Sequence, residues 1–366
     1  MKICFIAHNL RPYNGGGVFT SNVVAGLRDL LSAEIKVVTA VPSGFLGEEV
    51  LLSPGWFLSP RAVSRIRQLI KNSDVVHAFD PFPYGALAAL LSIGTKAKLI
   101  ITAVGTGSVR YLYMPIPFLL SRFALRKAKR ITAISNFTKN EMLKRIPNLS
   151  IGVINPGINL SRLSITLPDE KYLRPKSFAP YILSVGSLRL RKGYKWSIAA
   201  FKRISEIYPD LNYVIIGKKY TDKEFNRLHG LVVDLGLAGK VHILHDVSDE
   251  DELTAFYRQA KLFCLMSFNY GHDVEGFGIV FLEAAVAGLP VVGTRDSGVV
   301  DATAGGRNGI LVKWDDIDEF ANAIISILKD DALYRQFSEA SRELVKDFDW
   351  SKKINGYVKI YRGLLK

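Results

Sequence analysis

HDVEGFGIVFLEAAVAGLPVV, residues 272–292, places a glycine-rich turn directly before a helix and a strand. Glu275 opens the turn, and Glu283 follows eight positions later. The apolar spacing over 279–287 is helical, and a Gly-Leu-Pro sequence ends this helix before the strand. Such a turn presents unpaired backbone N–H groups at the positive end of a helix dipole. The stretch therefore predicts a seat for a diphosphate group.

The two glutamates lie at different depths in this predicted site. Glu275 is the residue directly before the glycines of the turn. Glu283 lies about one to two turns inside the helix, where its carboxylate can accept two hydroxyl hydrogen bonds, as from a ribose. An amphipathic helix with a capping loop would explain a lone Glu-Gly-Phe-Gly sequence equally well. The second carboxylate at this spacing favours a nucleotide site.

The stretch resembles the retaining glycosyltransferases of family 4 (group 1), whose signature is a glutamate, seven residues and a second glutamate. Six further stretches follow the family's order and approximate spacing: 74–81, 129–142, 153–159, 184–201, 213–219 and 297–312. The resemblance implies the α/β fold called GT-B, two facing Rossmann-like domains with parallel sheets. It also implies transfer of a hexose from a nucleotide-sugar donor with retention of anomeric configuration.

The sequence of residues 273–280, DVEGFGIV, indicates which nucleotide sugar is the donor. This stretch is especially similar to the corresponding stretch of the mannosyltransferases of the phosphatidylinositol mannoside pathway. The resemblance therefore favours GDP-mannose over a UDP-sugar as the donor. The nucleotide sugar is a substrate, and no cofactor is predicted. The acceptor expected from the resemblance is a hydroxyl group of a saccharide or of an anionic lipid-linked molecule.

The organisation of the chain supports two domains of similar size. Short β-branched runs alternate with helical patterns, as in parallel sheets with helical crossovers. The alternation pauses over residues 157–180, which contain three prolines and no clear period. We predict an N-terminal acceptor-side domain at 1–165 and a C-terminal nucleotide-sugar-binding domain at 166–349. In the family, the last helix, here 350–366, packs back on the first domain.

The formal net charge of +14 is unevenly distributed. Residues 1–168 contain 20 Lys and Arg against 7 Asp and Glu, an excess of 13, whereas residues 169–366 contain 28 against 27. This asymmetry indicates an anionic partner for the first half: a phosphorylated acceptor, an anionic membrane surface or nucleic acid. Nucleic acid is not expected, because no aromatic–basic RNA motif or recognition helix is present.

The first strand-like run and the cysteines indicate the compartment. MKICFIA runs directly into a loop and has no secretory leader pattern. Cys4 and Cys264 lie in separate strand-like runs and are expected to be buried free thiols of a reducing cytosol. The apolar region 83–105 contains Lys96 and Lys98 and is therefore not a membrane span. The prediction is a cytoplasmic protein, peripheral on the inner face of the cell membrane if its acceptor is lipid-linked.

A cationic loop follows the strand-like run 181–185. Arg189, Arg191 and Lys192 can neutralise a departing nucleoside diphosphate, and Lys192 matches the family's phosphate lysine. The family more often has an arginine where this chain has Ser187, and either Arg189 or Arg191 can replace it. Lys192 and Glu275 are the predicted catalytic residues, Glu275 by orienting hydroxyl groups of the transferred sugar.

The remaining donor contacts are predicted from loops that the family places at the cleft. The glycine loop at 14–17 borders the donor phosphates, and backbone atoms at 245–248 meet the nucleobase; a flexible turn is the alternative for the glycine loop. The predicted donor-binding residues from these loops and from the turn are Gly16, Gly17, Val247, Phe277, Gly278, Ile279 and Val280.

One loop departs from the family pattern. The family usually reads Thr-x-His-Gly-Thr where this chain has residues 102–107, and Val104 replaces the histidine that faces the transferred sugar. Valine can neither bind a hydroxyl group by hydrogen bonds nor polarise it. Val104 and Ser187 therefore motivate an alternative, a catalytically weak nucleotide-sugar-binding partner subunit. His77 is a separate position, and a structural role is at least as compatible with it as a catalytic one.

The segment 108–130 mixes apolar residues with cations. This composition suits a helix on an anionic bilayer, and a core-facing helix with a basic outer face suits it equally. Pro115 and Pro117 are expected to restrict any helix to the residues after them. Arg122, Arg126 and Lys129 are spaced to share one helical face. The predicted membrane or acceptor residues are Arg122, Arg126, Lys127, Lys129 and Arg130.

Metal ligation is not predicted. The chain lacks an Asp-x-Asp motif, and its six histidines have no ligand spacing. With no obvious enzymic nucleophile, the resemblance implies a metal-independent front-face reaction in which the leaving phosphate accepts the proton of the acceptor hydroxyl.

Overall fold

The computed structural model describes residues 1–11, 15–53, 58–160 and 172–365. These residues form two compact units. The N-terminal unit comprises Met1–Gly157 with Asp349–Lys366, and the C-terminal unit comprises Ile158–Phe348. The predicted boundary at 165/166 lies outside the described residues.

The N-terminal unit contains a seven-stranded parallel sheet of order β3-β2-β1-β4-β5-β6-β7. Most of its strands are almost wholly buried, because helices cover both faces of such a sheet. The strands are β1 Lys2–Ile6, β2 Glu34–Thr39, β3 Glu48–Val50, β4 Val75–Phe79, β5 Lys98–Ala103, β6 Arg130–Ala133 and β7 Ile151–Val153. The helices that connect them are α1 Gly15–Leu31, α2 Pro60–Lys71, α3 Ala86–Leu91, α4 Thr106–Arg110, α5 Pro115–Lys127 and α6 Asn136–Arg145.

The C-terminal unit contains a six-stranded parallel sheet of order β10-β9-β8-β11-β12-β13. Its strands are β8 Tyr181–Val185, β9 Asn212–Ile216, β10 Val241–Leu244, β11 Leu262–Cys264, β12 Val291–Thr294 and β13 Gly309–Val312. Its helices are α7 Tyr194–Ile207, α8 Asp222–Asp234, α9 Glu250–Gln259, α10 Ile279–Val286, α11 Val299–Ala302, α12 Ile317–Lys329 and α13 Asp331–Val345.

Both sheets follow the doubly wound Rossmann order, in which the strand order reverses beside the first strand of the unit. The reversal lies between β1 and β4 in the N-terminal unit and between β8 and β11 in the C-terminal unit. In such sheets, ligands bind outside the carboxyl ends of the strands at this point. The topology therefore gives each unit one natural place for a ligand.

The last helix, α14 Trp350–Leu365, belongs to the N-terminal unit, where it packs against α1. Gly26 of α1 makes this approach possible, because a Cβ there would lie 2.7 Å from the Ile354 side chain. Deeper in the unit, the Tyr361 hydroxyl lies 2.8 Å from His77 Nδ1, and Thr102 Oγ1 lies 2.7 Å from His77 Nε2. Burial lowers the pKa of His77 to about 3, so this histidine is a neutral structural residue.

Ten short apolar runs of the sequence predict strands, and each corresponds to a strand of the structure within one or two residues at each end. The runs are 3–7, 35–40, 75–79, 99–103, 131–134, 181–185, 213–217, 241–244, 262–266 and 289–293. Three short strands, β3, β7 and β13, were missed. All three lie at sheet edges and β3 is partly exposed, so their sequences are not long apolar runs. Both cysteines are buried free thiols, as predicted. In the described part of the chain, no helix has the length and apolarity needed to cross a bilayer.

Candidate nucleotide-binding site

Two loops converge at the strand-order reversal of the C-terminal unit. The loop after β8 carries Arg191 and Lys192 in a 3₁₀ turn, and the loop after β11 carries Glu275. Gly193 lets them approach, since a Cβ on it would lie 1.9 Å from the carbonyl oxygen of Met266. The sheet thus brings together residues more than 80 positions apart in sequence.

Glu275 is the centre of this cluster. Its Oε2 accepts hydrogen bonds from Lys192 Nζ at 2.5 Å and from Arg191 Nη1 at 2.9 Å. Arg191 also lies 3.4 Å from Asp273 Oδ1 through its Nε. Lys192 and Glu275 are each only 7% exposed. The two predicted catalytic residues therefore contact each other, and Arg191 joins them.

The electrostatics of the cluster favour the ionised carboxylate. Burial alone would raise the pKa of Glu275, but the Lys192 ammonium and the Arg191 guanidinium outweigh it and lower the pKa to about 2. Lys192 and Arg191 therefore lie beside the Glu275 turn, balanced by Glu275 and Asp273, and both can donate hydrogen bonds to an incoming diphosphate.

The backbone of the Glu275 turn is held from two sides. Asn269 Oδ1 accepts the N–H of Glu275 at 3.1 Å, and the Glu275 carbonyl accepts the N–H of Gly298 at 2.8 Å. Gly298 is required by packing, because a Cβ there would lie 2.2 Å from the Gly276 carbonyl oxygen. Such support fixes the carboxylate relative to the first turn of α10.

Helix α10 begins beside this cluster. Gly278 is its N-cap, with a φ of 85° in the left-handed region, and no side chain caps this end. No capping side chain therefore accepts a hydrogen bond from the backbone N–H groups of the first turn, at 278–280. The neighbouring Phe277 is buried at 3% exposure, so its side chain belongs to the core and only its backbone can serve a ligand.

Glu283 lies farther along the same helix, where its side chain lines an open cleft. Its Oε2 accepts a hydrogen bond from the Tyr257 hydroxyl at 2.8 Å. Glu250 and Thr254 of α9 line the same cleft, which is formed within the C-terminal unit. The Glu283 carboxylate can therefore accept hydrogen bonds from several hydroxyl groups of a ligand. It lies on α10, whose first turn suits a phosphate group.

The structure separates the two arginines that sequence left as alternatives. Arg191 contacts Glu275, whereas the guanidinium of Arg189 lies 3.8 Å from the centroid of the Tyr220 ring. Ser187 is the second residue of the same loop, which follows β8. Val247 is half-buried in the loop after β10, where its backbone is near the edge of the sheet.

In the N-terminal unit, the three glycines of the glycine loop form the start of α1, at Gly15. Asn14 lies outside the described residues. Gly16 is exposed, and Gly17 has a packing role, because a Cβ there would lie 2.2 Å from the Arg11 carbonyl oxygen. Close packing thus explains Gly17 without a ligand, whereas the alternative drawn from the sequence was a flexible turn.

Val104 lies after β5 beside a buried carboxylate. Its N–H donates to Asp80 Oδ1 at 2.9 Å, and the Ser108 hydroxyl donates to the same oxygen. Burial raises the pKa of Asp80 to about 6, despite these two bonds. On the β1 side of the reversal, His8 Nδ1 lies 2.9 Å from the Tyr84 hydroxyl. His8 and Asp80 are polar groups at this strand-order reversal that the sequence analysis missed.

Two expectations about the basic segment were wrong. Helix α5 begins at Pro115 and includes Pro117, because the first turn of a helix does not need the N–H groups that proline lacks. The helix ends at Lys127, so Lys129 does not share a helical face with Arg122 and Arg126. Arg130 begins β6.

The residues missed by the sequence analysis have a common property. Tyr257 and Asn269 lie outside the recognised motifs, Asp273 lies within the stretch 273–280 but was given no role, and all three reach the site through tertiary contacts. Its place in the loop after β11 was the one available signal for Asn269. Within the described ranges, no group of three or more His, Cys, Asp or Glu residues is arranged to hold a metal ion.

Comparison with protein families finds two adjacent matches. Residues 13–162 match the model described as Glycosyltransferase Family 4, and residues 169–344 match Glycosyl transferases group 1. The GDP-mannose-dependent alpha-(1-6)-phosphatidylinositol monomannoside mannosyltransferase of Mycolicibacterium smegmatis is 26% identical over 313 residues, covering 81% of this chain and 78% of that protein. The N-acetyl-alpha-D-glucosaminyl L-malate synthase of Bacillus anthracis is 27% identical over 304 residues, covering 81% and 76%.

Among solved structures, Anabaena Alr3699/HepE in complex with UDP superposes with a TM-score of 0.84 at 20% identity. The superposition covers 99% of this chain and 100% of that chain. WaaG, a glycosyltransferase involved in lipopolysaccharide biosynthesis, gives a TM-score of 0.71 at 18% identity, with coverage of 98% and 99%. At these identities the likeness shows the fold, which is GT-B with two parallel-sheet α/β domains.

Proposed function

Because the chain belongs to the group 1 and family 4 glycosyltransferases, we propose that its C-terminal unit binds the nucleotide sugar and that a hexose is transferred with retention. The observation that carries this proposal is the contact of Lys192 and Arg191 with Glu275, beside the first turn of α10. The site has cations for a diphosphate and a held carboxylate for sugar hydroxyls.

Each group has one task in the proposed reaction. The diphosphate lies on the backbone at 278–280 with Lys192 and Arg191, and Glu283 binds the ribose. Glu275 accepts hydrogen bonds from hydroxyl groups of the hexose. The acceptor oxygen bonds to the anomeric carbon on the face that the diphosphate leaves, and the bond to the diphosphate oxygen breaks with its electron pair. The acceptor's proton passes to that phosphate oxygen.

Lys192 and Arg191 support a reaction without a metal ion, because they can offset the charge that develops on the leaving diphosphate. Replacement of Lys192 by alanine should lower kcat by about 100-fold or more. Lys195→Ala is the matched control, since this lysine lies three positions away and is exposed. Equal turnover in the two variants, with both folded, would remove Lys192 from the reaction. Unchanged turnover after chelation with EDTA is expected, and loss restored by a divalent cation would contradict metal independence.

The donor we propose is GDP-mannose. The sequence of residues 273–280 supports it, and so does the similarity to the Mycolicibacterium smegmatis enzyme, whose name describes it as GDP-mannose-dependent. A UDP-sugar is the second candidate, because the Anabaena structure contains UDP. Calorimetric titration with GDP, UDP and ADP separates them. A cognate nucleotide at 100 times its Kd should also raise the free energy of unfolding by about 2.7 kcal/mol. Tighter binding of UDP than of GDP would overturn the mannose proposal and leave the site intact.

The acceptor is proposed as a hydroxyl of a saccharide or a lipid-linked molecule. A catalytically weak partner subunit remains the alternative, because Val104 brings no hydrogen-bonding side chain to the loop after β5. A panel of nucleotide sugars distinguishes the two functions. Pure protein that binds one donor tightly but neither transfers nor hydrolyses its sugar would favour the partner subunit.

A further inference from the structure

Helix α5 exposes large apolar side chains to solvent. Ile116, Leu119 and Phe123 are 71%, 62% and 39% exposed, although an outward helix face is ordinarily polar. At 3.6 residues per turn, these three positions fall within about 60° of one another. Met114, directly before the helix, is also exposed. The opposite side of the helix is buried in the unit through Ser121 and Leu125, among others. The exposed side chains therefore form one continuous outward stripe, which we call the α5 stripe.

Cations border the α5 stripe. Arg122 and Arg126 are exposed and lie on α5 beside it, and Lys129 and Arg130 follow the end of the helix. The ion pairs that the structure shows in the N-terminal unit involve other cations.

The wider sequence around the stripe is uniformly basic. Residues 81–140 contain nine Lys and Arg and no Asp or Glu. The N-terminal unit as a whole contains 24 Lys and Arg against 8 Asp and Glu, whereas the C-terminal unit contains 24 against 26. The surface is therefore complementary to a partner that is both anionic and apolar.

We infer that the α5 stripe docks the protein on an anionic lipid bilayer, with Ile116, Leu119 and Phe123 among the acyl chains and Arg122 and Arg126 at the headgroups. An interfacial helix of this kind combines apolar residues on one side with cations beside them. The apolar residues gain from leaving water, and the cations gain from the negative surface potential of the bilayer.

A bilayer fits these observations better than other anionic partners. Nucleic acid offers phosphates to the arginines but gives three adjacent aliphatic and aromatic side chains no apolar environment. A second copy of this chain would place like charges of the same stripe opposite each other. The inference does not rest on the donor proposed above, and it would place a lipid-linked acceptor at the bilayer surface that α5 contacts.

Vesicle co-sedimentation without any donor tests the inference. The full chain is mixed with phosphatidylcholine vesicles that contain 30% phosphatidylglycerol or none, at low and at high salt. We expect binding to the acidic vesicles only, weakened by salt. The double variant Arg122→Gln, Arg126→Gln should lower the partition coefficient about 30-fold, from about 1 kcal/mol for each cation. The triple variant Ile116→Gln, Leu119→Gln, Phe123→Gln should lower it more than 100-fold.

Matched controls come from the C-terminal unit. Lys329→Gln with Arg335→Gln removes two exposed cations, and Ile207→Gln with Val233→Gln removes two exposed apolar residues. All these positions are exposed, so the variants should fold. Loss of binding in α5 variants but not in the controls supports the inference. Absence of binding to acidic vesicles at low salt, or equal loss in variants and controls, overturns it.

A fluorescent label locates the contact directly. Leu119→Cys supplies an accessible thiol, and burial of Cys4 and Cys264 raises both of their pKa values to about 12, so an environment-sensitive label selects the new position. Acidic vesicles should shift its emission to the blue, and the same label at Val233→Cys should not respond. A lipid-independent shift that grows with protein concentration would instead identify a contact between copies and overturn the bilayer assignment. Donor binding measured on the same sample reports separately on the nucleotide site.

Discussion

Replacement of Glu275 by glutamine removes a buried negative charge and leaves the shape of the side chain nearly unchanged. The carboxylate is 7% exposed and accepts hydrogen bonds from Lys192 and Arg191 at 2.5 and 2.9 Å. A glutamine can accept one of these bonds, but Lys192 then loses its counter-charge and Arg191 keeps only Asp273, at 3.4 Å. We therefore expect Glu275→Gln to destabilise the C-terminal unit in addition to lowering turnover.

The magnitude follows from the pKa of Glu275, which is lowered from the ordinary 4.5 to about 2. A shift of about 2.5 units corresponds to about 3 kcal/mol of folding stability in the ionised form. This agrees with the 3–5 kcal/mol, in order of magnitude, that the loss of one partner costs a buried ion pair. The sign is that of a lowered carboxyl pKa. The contribution is complete above about pH 4.5 and disappears as the pH falls through 2.

The assay compares the free energies of unfolding of the wild type and Glu275→Gln in urea at several pH values. The difference should be about 3 kcal/mol at pH 7 and roughly half of that at pH 3. Hydrogen exchange of peptides from β8 and β11 reports on the C-terminal unit, and peptides from β1 and β4 report on the N-terminal unit.

Glu343→Gln serves as the control, because Glu343 is exposed and pairs with the exposed Lys346. Its effect should stay within about 0.5 kcal/mol at every pH. Two results would refute the electrostatic account of the cluster. One is a small difference at pH 7 between the free energies of unfolding of the wild type and Glu275→Gln, and the other is a difference that does not decrease towards pH 3.

Three further predictions concern other residues of the two units. Burial raises the pKa of Asp80 to about 6, so the wild type should lose about 1–3 kcal/mol of stability relative to Asp80→Asn as the pH rises from about 4 to 7; a difference constant with pH in urea unfolding would contradict this. Gly193→Ala should destabilise by more than about 2 kcal/mol, because φ is +72° and the new Cβ meets a backbone carbonyl, whereas Gly230→Ala in α8 meets nothing within 4 Å and should be neutral or stabilising in thermal unfolding. Tyr257→Phe removes the 2.8 Å hydrogen bond to Glu283 and should weaken nucleotide binding by about 2–10-fold in calorimetry; unchanged affinity would separate Tyr257 from the site.

The sequence predicted much of the local structure because local structure follows short-range rules. Ten of the strands appear as short apolar runs between helical patterns, and the Gly278 turn is recognisable beside the start of α10. Ser135, a serine directly before a helical run, caps α6 and accepts the N–H of Thr138 at 2.9 Å. The edge strands and the first turn of α5 were predicted less well, because burial and the position of proline decide them more than propensity does.

Tertiary structure decided which distant residues meet. The sequence alone indicated a catalytic glutamate and a loop with three cations, but the strand order places Lys192 and Arg191 on Glu275 and turns Arg189 towards Tyr220. It also left the outward stripe of α5 exposed, although the apolar residues of that helix fit a buried and an exposed position equally well in the sequence. Periodicity records which residues share a helix or strand face, whereas burial and ion pairing depend on contacts between residues far apart in the chain, which only the packed sheets define.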